Sequence, residues 1–350
     1  MPPRSRPRPG ATARRLAALT LVAACGGEGA RDTRDTRDAG ANGGTLVIAT
    51  VGDPDLIVPP LVTSLAGAQV ASQLFDRLAE IGPALNTVGD QGFRPRLARS
   101  WAWAPDSLSV RFALDAAARW HDGRPVTAAD VAFSFRLATD PRAASPVAPL
   151  LANVDSVTAP DSATAVVWFA RRSPQQFFDA VYQVYVVPEH LLRDVDPTQL
   201  AASEFARRPV GTGRFRFVRW DHGARVELAA DTANWRGRPP LDRVIWSINA
   251  DPGAATRALV AGEADWWEAV RGDGLAMVRR TPTLRAIDYP SLDQGYLAFN
   301  LRSPGGAPHP VLADRAVRRA LAAAIDRAQV VRNTFDSSAV PRTVPAPRAT

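Results

Sequence analysis

The sequence predicts an α/β protein, because segments with the period of a strand alternate with segments that have the period of a helix. Residues 108–114 place an apolar side chain at every second position, which is typical of a half-buried strand. Residues 214–228 contain two such alternating runs joined by a turn at 221–223, and this pattern predicts a β-hairpin. Residues 314–331 instead repeat apolar side chains along one face of a helix.

The first 25 residues have the layout of an export signal. Residues 1–15 carry five arginines and no acid, and residues 16–24 form an apolar run too short to span a bilayer. The run ends in VAAC at 22–25, which resembles a bacterial lipobox, where small residues admit a signal peptidase and the thiol receives lipid. We expect 1–25 to be a lipoprotein signal peptide and Cys25 to anchor the protein to a membrane, in the periplasm or at the cell surface. The alternative is an ordinary signal peptide followed by an incidental cysteine.

Residues 26–44 are predicted to be a flexible linker. They consist largely of Gly, Asp, Arg and Thr, which bury too little apolar surface to fold. Order is expected to begin with the apolar strand at 45–50, which is followed by the turn-rich residues 52–55.

The charge of the chain does not indicate a nucleic-acid partner. The net charge is +7, but five of the 42 basic residues lie in 1–25, which leaves 37 basic against 35 acidic residues. The chain contains no lysine, so every basic side chain is an arginine, and the sequence pI of 10.6 is correspondingly high. An arginine-rich and alanine-rich composition without lysine is typical of a GC-rich genome.

Two further segments have the patterns of a helix and of a strand. Thr127 is followed three residues later by Asp130, the spacing of a capping box, so a helix is expected to begin there with Val131 and Phe135 on one face. Residues 244–248 read as another strand.

Taken together, these elements resemble the family 5 extracellular solute-binding proteins, the dipeptide-, oligopeptide- and nickel-binding group. The resemblance is carried by a series of segments in the family's order: LARSW at 97–101, PD at 105–106, VRFAL at 110–114, WHDGRPVTAADVAFS at 120–134, VGTG at 210–213, WRGRPPLD at 235–242, AGEAD at 261–265, YLAFN at 296–300, VRRAL at 317–321 and AID at 324–326. The chain departs from the family at Asp231 and Asn234, where Asn and Tyr are usual.

The resemblance implies a two-lobed periplasmic-binding-protein type II fold with an extra subdomain. Lobe I is expected at 45–290, with the inserted subdomain at about 61–205, and 291–350 would start lobe II. Because family members are considerably longer, we expect lobe II to be truncated. The acid with which related peptide binders hold the ligand's amino group comes from that lobe, and no residue here can inherit its role.

The resemblance also places the ligand in the cleft between lobes, gripped when a hinge closes. Trp266, Trp267 and Glu268 should follow a strand that ends at the cleft edge, with one of the two tryptophans facing the ligand. The chain should cross to lobe II near Tyr296 and Asn300.

Two carboxylates beside the first strand complete the expected site. Asp53 and Asp55 could meet a cationic group of the ligand, and the alternative for each is a plain surface turn. The segment from WHDGRP at 120–125 to Asp130 is interpreted instead as scaffold, because Asp122 and Gly123 make a turn and Thr127 and Asp130 cap a helix.

The sequence predicts a binding protein and not an enzyme. It contains no Gly-x-Ser-x-Gly, no His-Glu-x-x-His and no phosphate-binding loop with Gly-Lys, and its four histidines are far apart. No metal or cofactor is expected.

The function implied is capture of a peptide or similar small solute for an ABC importer, with the permease subunits as partners and the binding protein a monomer. A lipid-anchored sensor or a chaperone-like binding protein without a transporter stays open as the alternative.

Overall fold

The structure, a computed structural model, describes residues 43–270, 272–289, 295–335 and 339–341. The expected signal peptide, the lipidation site Cys25 and nearly all of the expected linker lie outside the described residues. The boundaries expected for the two lobes and the inserted subdomain stay predictions.

The described chain mixes short helices and strands, as the sequence predicts. The strands are β1 Thr45–Val51, β2 Ala79–Ile81, β3 Phe93–Pro95, β4 Ala98–Trp103, β5 Ser109–Leu114, β6 Val154–Asp161, β7 Thr164–Phe169, β8 Phe215–Asp221, β9 Arg225–Ala230 and β10 Arg243–Asn249. The α-helices are α1 Leu65–Leu74, α2 Ala128–Thr139, α3 Gln176–Tyr182, α4 Glu189–Leu192, α5 Glu204–Arg207, α6 Pro252–Ala261, α7 Asp273–Arg280, α8 Arg315–Ala324 and α9 Arg327–Phe335. None of these helices combines the length and the apolarity needed to cross a bilayer.

One mixed sheet has the strand order β1-β10-β9-β8. β1 pairs with β10 in parallel, and the other two pairs are antiparallel, with β8 and β9 forming the hairpin that the sequence predicts. Alternate side chains on β9 and β10, among them Val226, Leu228 and Trp246, are buried against a core to which α1 contributes. This sheet carries the candidate site at the end of β1.

A second sheet, with the order β4-β5-β7-β6, is antiparallel throughout. Its apolar face packs with α2, whose Val131 and Phe135 are both buried, as predicted. The predicted capping residues also act as expected: the Asp130 carboxylate accepts from the backbone N–H of Thr127 at 2.8 Å and from its hydroxyl at 3.0 Å. The carboxylate's other oxygen accepts from the N–H of Glu189 at 2.9 Å, which ties α4 to the start of α2.

The Gly211–Gly213 segment forms a close junction with the end of α1, and we call this the glycine junction. A Cβ added at Gly211 would lie 1.8 Å from the carbonyl oxygen of Leu74, and one at Gly213 would lie 2.1 Å from that of Gln73. The backbones can approach this closely because glycine has no Cβ. The Gly213 N–H then donates to the Leu74 carbonyl at 2.8 Å.

His121 fills the other side of the glycine junction and is buried. Its Nδ1 accepts from the N–H of Gly211 at 3.1 Å and its Nε2 lies 2.9 Å from the carbonyl oxygen of Gly213, so the neutral ring carries its proton on Nε2. Burial lowers the pKa of His121 below its usual value. The WHDGRP segment therefore serves packing here, in agreement with its interpretation as scaffold.

The helix predicted at 314–331 is two helices in the structure. The chain is extended at Ile325 (φ −88°, ψ 110°), and the Asp326 carboxylate then accepts from the N–H of Gln329 at 3.0 Å. This local cap begins α9 and interrupts the apolar repeat, because an aspartate favours a helix start over a helix interior. None of the residues of α8 is buried, and Leu321 is exposed.

Candidate functional site

The candidate site begins where residues 264–266 run beside the free edge of β1. The Trp266 carbonyl accepts from the N–H of Ala49 at 2.7 Å, and the Asp265 carboxylate accepts from the N–H of Val47 at 2.8 Å. The pairing amounts to one parallel bridge between Ile48 and Trp266.

The expectation that Trp266, Trp267 and Glu268 follow a strand is therefore wrong. They follow α6, whose C-cap residue Gly262 is in the left-handed conformation with φ of +76°. Because the side chain of Asp265 takes a donor of β1 that a new strand would use, the edge carries a short connection instead of a further strand.

The side chains of Trp266 and Trp267 differ in exposure, because neighbouring side chains on an extended segment point to opposite sides. Trp266 is 46% exposed, while Trp267 is partly buried against Ala49, Ala255 and Ala264. The Nε1 of Trp267 is buried and has no hydrogen-bond partner among the described residues. Sequence reasoning left open which tryptophan would face the ligand, and Trp267 is the one that lines concave surface.

Two hollows adjoin Trp267 and share it as a wall. The smaller, of about 240 Å³, also contains Asp53, Gln69 and Glu268, and we call it the acidic hollow. The larger, of about 380 Å³, is lined by mainly apolar or small residues, and we call it the apolar hollow; its other members are Val51, Pro252, Gly253, Thr256, Ala269 and Gly274. Both hollows adjoin the carboxyl end of β1, which agrees with the general placement of ligands at strand ends in α/β proteins.

Glu268 is exposed and is held by neutral donors. Its Oε2 accepts from Nε2 of Gln69 at 2.8 Å, and its Oε1 accepts from the hydroxyl of Tyr289 at 2.8 Å. The Oε1 of Gln69 accepts in turn from Nε1 of Trp246 at 3.3 Å. This chain of bonds orients the carboxylate from a buried ring of the sheet.

Asp53 also lines the acidic hollow, and it has a structural duty as well. Its Oδ1 accepts from Nε1 of Trp220 at 3.0 Å, and its Oδ2 accepts from the N–H of Gly223 at 2.7 Å. The carboxylate therefore ties the end of β1 to the β8–β9 hairpin while it faces the hollow. The sequence offered a ligand contact and a surface turn as alternatives, and the geometry is compatible with both.

Asp55 is exposed and lines neither hollow. Its carboxylate accepts from the N–H of Thr63 at 2.6 Å and from the hydroxyl of Ser64 at 2.6 Å, and Ser64 is the N-cap of α1. Desolvation raises the pKa of Asp55, but hydrogen bonds from Ser64 and Thr63 outweigh it and hold the pKa below its usual range. These bonds give Asp55 a structural role beside the start of α1, and a contact between Asp55 and a ligand stays a prediction.

The structure does not bring Tyr296 and Asn300 to either hollow. Tyr296 is 79% exposed, and the side-chain oxygen of Asn300 accepts from the backbone N–H of Arg302 at 3.2 Å. Their role at a ligand stays a prediction.

Gln69 and Tyr289 were missed from sequence. Gln69 is a polar residue inside the otherwise mostly apolar helix α1, and that contrast is the one local signal of its role. Tyr289 carries no such signal. Among the described residues, no group of three or more His, Cys, Asp or Glu side chains could hold a metal ion.

Comparison with known proteins places these features in one family. Residues 92–350 match the model of the bacterial extracellular solute-binding proteins, family 5, middle region. A Brucella ovis protein named as a candidate ABC transporter peptide-binding protein is 34% identical over 257 residues, which cover 73% of this chain and 46% of the relative. The oligopeptide-binding protein AppA of Bacillus subtilis is 24% identical over 319 residues, covering 90% of this chain and 56% of AppA.

Solved structures share the fold. AppA in complex with a nonapeptide superposes with a TM-score of 0.72 at 23% identity, covering 84% of this chain and 56% of AppA. NikZ from Campylobacter jejuni, in complex with Ni(L-His), gives a TM-score of 0.69 at 26% identity, covering 83% of this chain and 55% of NikZ.

The chain thus spans about half the length of the curated relatives it matches, 46% and 56% for the two named above. Its mixed sheets and helices are those of the α/β substrate-binding fold. With a family model that covers most of the chain and a relative at 34% identity, the chain belongs to the family 5 bacterial extracellular solute-binding proteins.

Proposed function

We propose that this chain captures a peptide or similar small solute outside the cytoplasm and delivers it to an ABC importer. The observation that carries the proposal is the pair of hollows on either side of Trp267, beyond the end of β1. Relatives named as peptide-binding proteins of ABC transporters support the same class of ligand and partner.

The shape of this region suits a peptide. Trp267 offers a large, rigid contact surface at low conformational entropy cost. The hollows differ in the charge of their linings: one contains two carboxylates and the other contains no charged side chain. Neighbouring groups of one ligand could occupy the two hollows while its backbone crosses Trp267.

The binding test compares the two tryptophans. Trp267→Ala should weaken peptide binding at least tenfold, as measured by calorimetry or native mass spectrometry. Trp266→Ala, which removes a residue outside both hollows, is the matched control and should stay within about twofold of the wild type. Because Trp267 also packs on α6, Trp267→Phe should restore part of the packing and part of the affinity. Equal losses in the two alanine variants, or unchanged binding by Trp267→Ala, would contradict the proposal.

The proposal includes export and anchoring through Cys25. The arginine-bearing start, the short apolar run and the lipobox-like VAAC support it. Labelled palmitate should enter the wild type and not Cys25→Ser, and equal labelling of the two would count against the anchor. The anchored protein is proposed to act as a monomer that meets the permease subunits.

We also propose that this chain binds its ligand without catalysing a reaction of it. The family and the relatives named above are binding proteins. Both ring nitrogens of His121 are hydrogen-bonded within the glycine junction, so His121 is not free to act as a base. Stringently purified protein should leave peptides, esters and glycosides intact. Turnover that disappears on changing one polar residue of the acidic hollow would overturn this part of the proposal.

A further inference from the structure

Three arginine side chains interact with one another away from the two hollows, and we call them the arginine cluster. They are Arg96, Arg214 and Arg236, and none of them lines either hollow. Arg96 follows β3, Arg214 immediately precedes β8, and Arg236 lies between β9 and β10. Segments far apart in the chain therefore supply the cluster.

Two carboxylates pair with the arginine cluster and leave its positive charge only partly balanced. Nη2 of Arg236 lies 2.9 Å from Oδ1 of Asp76, and Arg96 contacts Oε2 of Glu80 through Nε at 2.6 Å and Nη2 at 2.5 Å. Arg214 has no carboxylate partner in the part of the chain that the structure describes. Its Nη2 donates to the backbone carbonyl of Arg236 at 3.1 Å, so its charge is left without a counter-ion.

The guanidinium groups of Arg214 and Arg236 also have more donors than the chain satisfies. A guanidinium carries five N–H donors. Within the described residues, only Nη2 of each makes a hydrogen bond or an ion pair, and Nε of each is buried without a partner. Because unpaired donors on a charged and partly buried group are costly, an acceptor at the remaining Nη groups would be favourable.

The electrostatics of Arg236 indicate the same excess of positive charge. Burial lowers the pKa of the Arg236 guanidinium, and the charges of Arg96 and Arg214 lower it further. The carboxylates of Asp76 and Glu80 act in the opposite direction. An added anion would therefore reduce the repulsion between the arginines.

The arginine cluster is partly enclosed but open to a small ion. The side chain of Arg96 is 30% exposed and that of Arg236 is 15% exposed. Charges interact more strongly in such a place than at a fully exposed surface. The planar N–H groups of guanidinium match the oxygens of phosphate or a carboxylate, which favours an oxyanion over a spherical ion such as chloride.

We propose that the arginine cluster binds a small oxyanion of the phosphate class, held by Arg214 and Arg236 with Arg96 at the open side. The proposal is independent of the proposed function, because the cluster lines neither hollow. The anion would join segments that are far apart in the chain, so its binding should stabilise the fold. Free phosphate and the headgroup of a phospholipid both supply this chemistry.

The test measures thermal unfolding of the full chain during titration with inorganic phosphate, with ionic strength held constant by sodium chloride. Arg214→Gln removes the arginine that has no carboxylate partner. Arg225→Gln is the matched control, because Arg225 pairs with Asp221 on a strand of the exposed hairpin. Glu80→Gln removes a carboxylate that competes with the anion and so tests the opposite direction.

Phosphate at about ten times its Kd should raise the Tm of the wild type by roughly 2–5 °C. Arg214→Gln should weaken phosphate binding by about tenfold or more, since it loses a charge-assisted contact. Arg225→Gln should stay within about twofold of the wild type. Glu80→Gln should bind phosphate about threefold more tightly, because less negative charge opposes the anion.

Vesicles distinguish the two sources of the phosphate group. Binding to phosphatidylglycerol vesicles, compared with phosphatidylcholine vesicles, is measured by sedimentation for the wild type and Arg214→Gln. Binding that the variant loses identifies a lipid headgroup as a source of the anion. A wild type that responds to inorganic phosphate and does not bind the vesicles identifies the free ion, and either result supports the proposal.

A Tm that rises equally in the wild type and in Arg214→Gln would mean an adventitious ion only and would overturn the proposal. So would a wild-type Tm that phosphate does not raise above its value in chloride. If Arg214→Gln does not fold, Glu80→Gln decides, and unchanged or weaker phosphate binding by that variant counts against the site. None of these outcomes affects the proposed capture of a solute at the hollows.

Discussion

The glycine junction and the acidic hollow use polar groups in opposite ways. At the glycine junction, donors and acceptors are satisfied within the chain: both nitrogens of His121 are bonded, and Thr212 donates to Asp76 at 2.9 Å. In the acidic hollow, Glu268 and Asp53 are oriented but not neutralised. Segments that carry the family resemblance, VGTG and WHDGRP, lie at the glycine junction. Some segments that carry the family resemblance therefore serve packing, and variants should separate this structural role from the proposed ligand contacts.

The largest effect is expected for Gly211→Ala. Its new methyl group would lie 1.8 Å from the Leu74 carbonyl oxygen, so the backbone must move and the unfolding free energy should fall by about 3 kcal/mol or more. Gly223→Ala is the control: Gly223 has φ of +70° but open space around its Cβ position, and the loss should be about 1 kcal/mol. Denaturant unfolding measures both. Similar losses at the two positions would mean that close backbone approach does not explain the VGTG segment.

The next effect concerns the buried pair of Asp76 and Arg236. Arg236→Met keeps much of the side-chain volume but leaves Asp76 without its cation, and should cost about 2–3 kcal/mol, with the arginine's 15% exposure moderating the loss. Arg238→Met is the matched control, because Arg238 pairs with Asp242 at the surface, where such pairs contribute about 0–1 kcal/mol. Chemical denaturation compares the two variants. Neither variant should change peptide affinity by more than about twofold, and a larger change in Arg236→Met would show that the glycine junction influences binding at the hollows.

Local elements were predictable from sequence because neighbouring residues decide them. The Thr127–Asp130 cap and the β8–β9 hairpin both depend on contacts between residues that are close in sequence. The break of the last predicted helix is also local, but the apolar repeat concealed it: Asp326 starts a new helix inside a pattern that reads as continuous.

The candidate site could be predicted only in part, because its contacts join distant residues. Gln69 and Glu268 are 199 positions apart, and Asp53 meets Trp220 across 167 positions. The family resemblance predicted Trp267 and Glu268 after a strand at the edge of the ligand cleft, where the structure has a single bridge between Ile48 and Trp266. Sequence patterns could not show that Asp55 turns to the cap of α1 while Asp53, two residues earlier, faces the hollow.

A third prediction uses the lowered pKa of His121. The unfolded chain should take up a proton near pH 6.5, while the buried ring resists it, so stability should fall as the pH drops below about 6.5. One such group changes the unfolding free energy by at most about 1.4 kcal/mol per pH unit. His121→Asn should be less stable than the wild type at pH 7.5, and the difference should shrink at pH 5.5. An identical pH dependence in His121→Asn and the wild type would remove His121 as its source.

The smallest effect on stability is expected for Asp55→Asn. This variant tests whether Asp55 only stabilises the fold or also contacts the ligand. The asparagine keeps one acceptor for Thr63 or Ser64 and loses the other, so the unfolding free energy should fall by about 1 kcal/mol. Because the folded pKa of Asp55 lies below its unfolded value of 3.8, the carboxylate's contribution is complete above that pH and fades as the pH falls further. The difference between wild type and variant should therefore be constant from pH 7 to 5 and shrink in stronger acid. Since Asp55 lines neither hollow, the peptide affinity of Asp55→Asn should stay within about twofold of the wild type. A peptide affinity that falls at least tenfold in Asp55→Asn and is unchanged in Trp267→Ala would move the proposed ligand contact from the hollows to the start of α1.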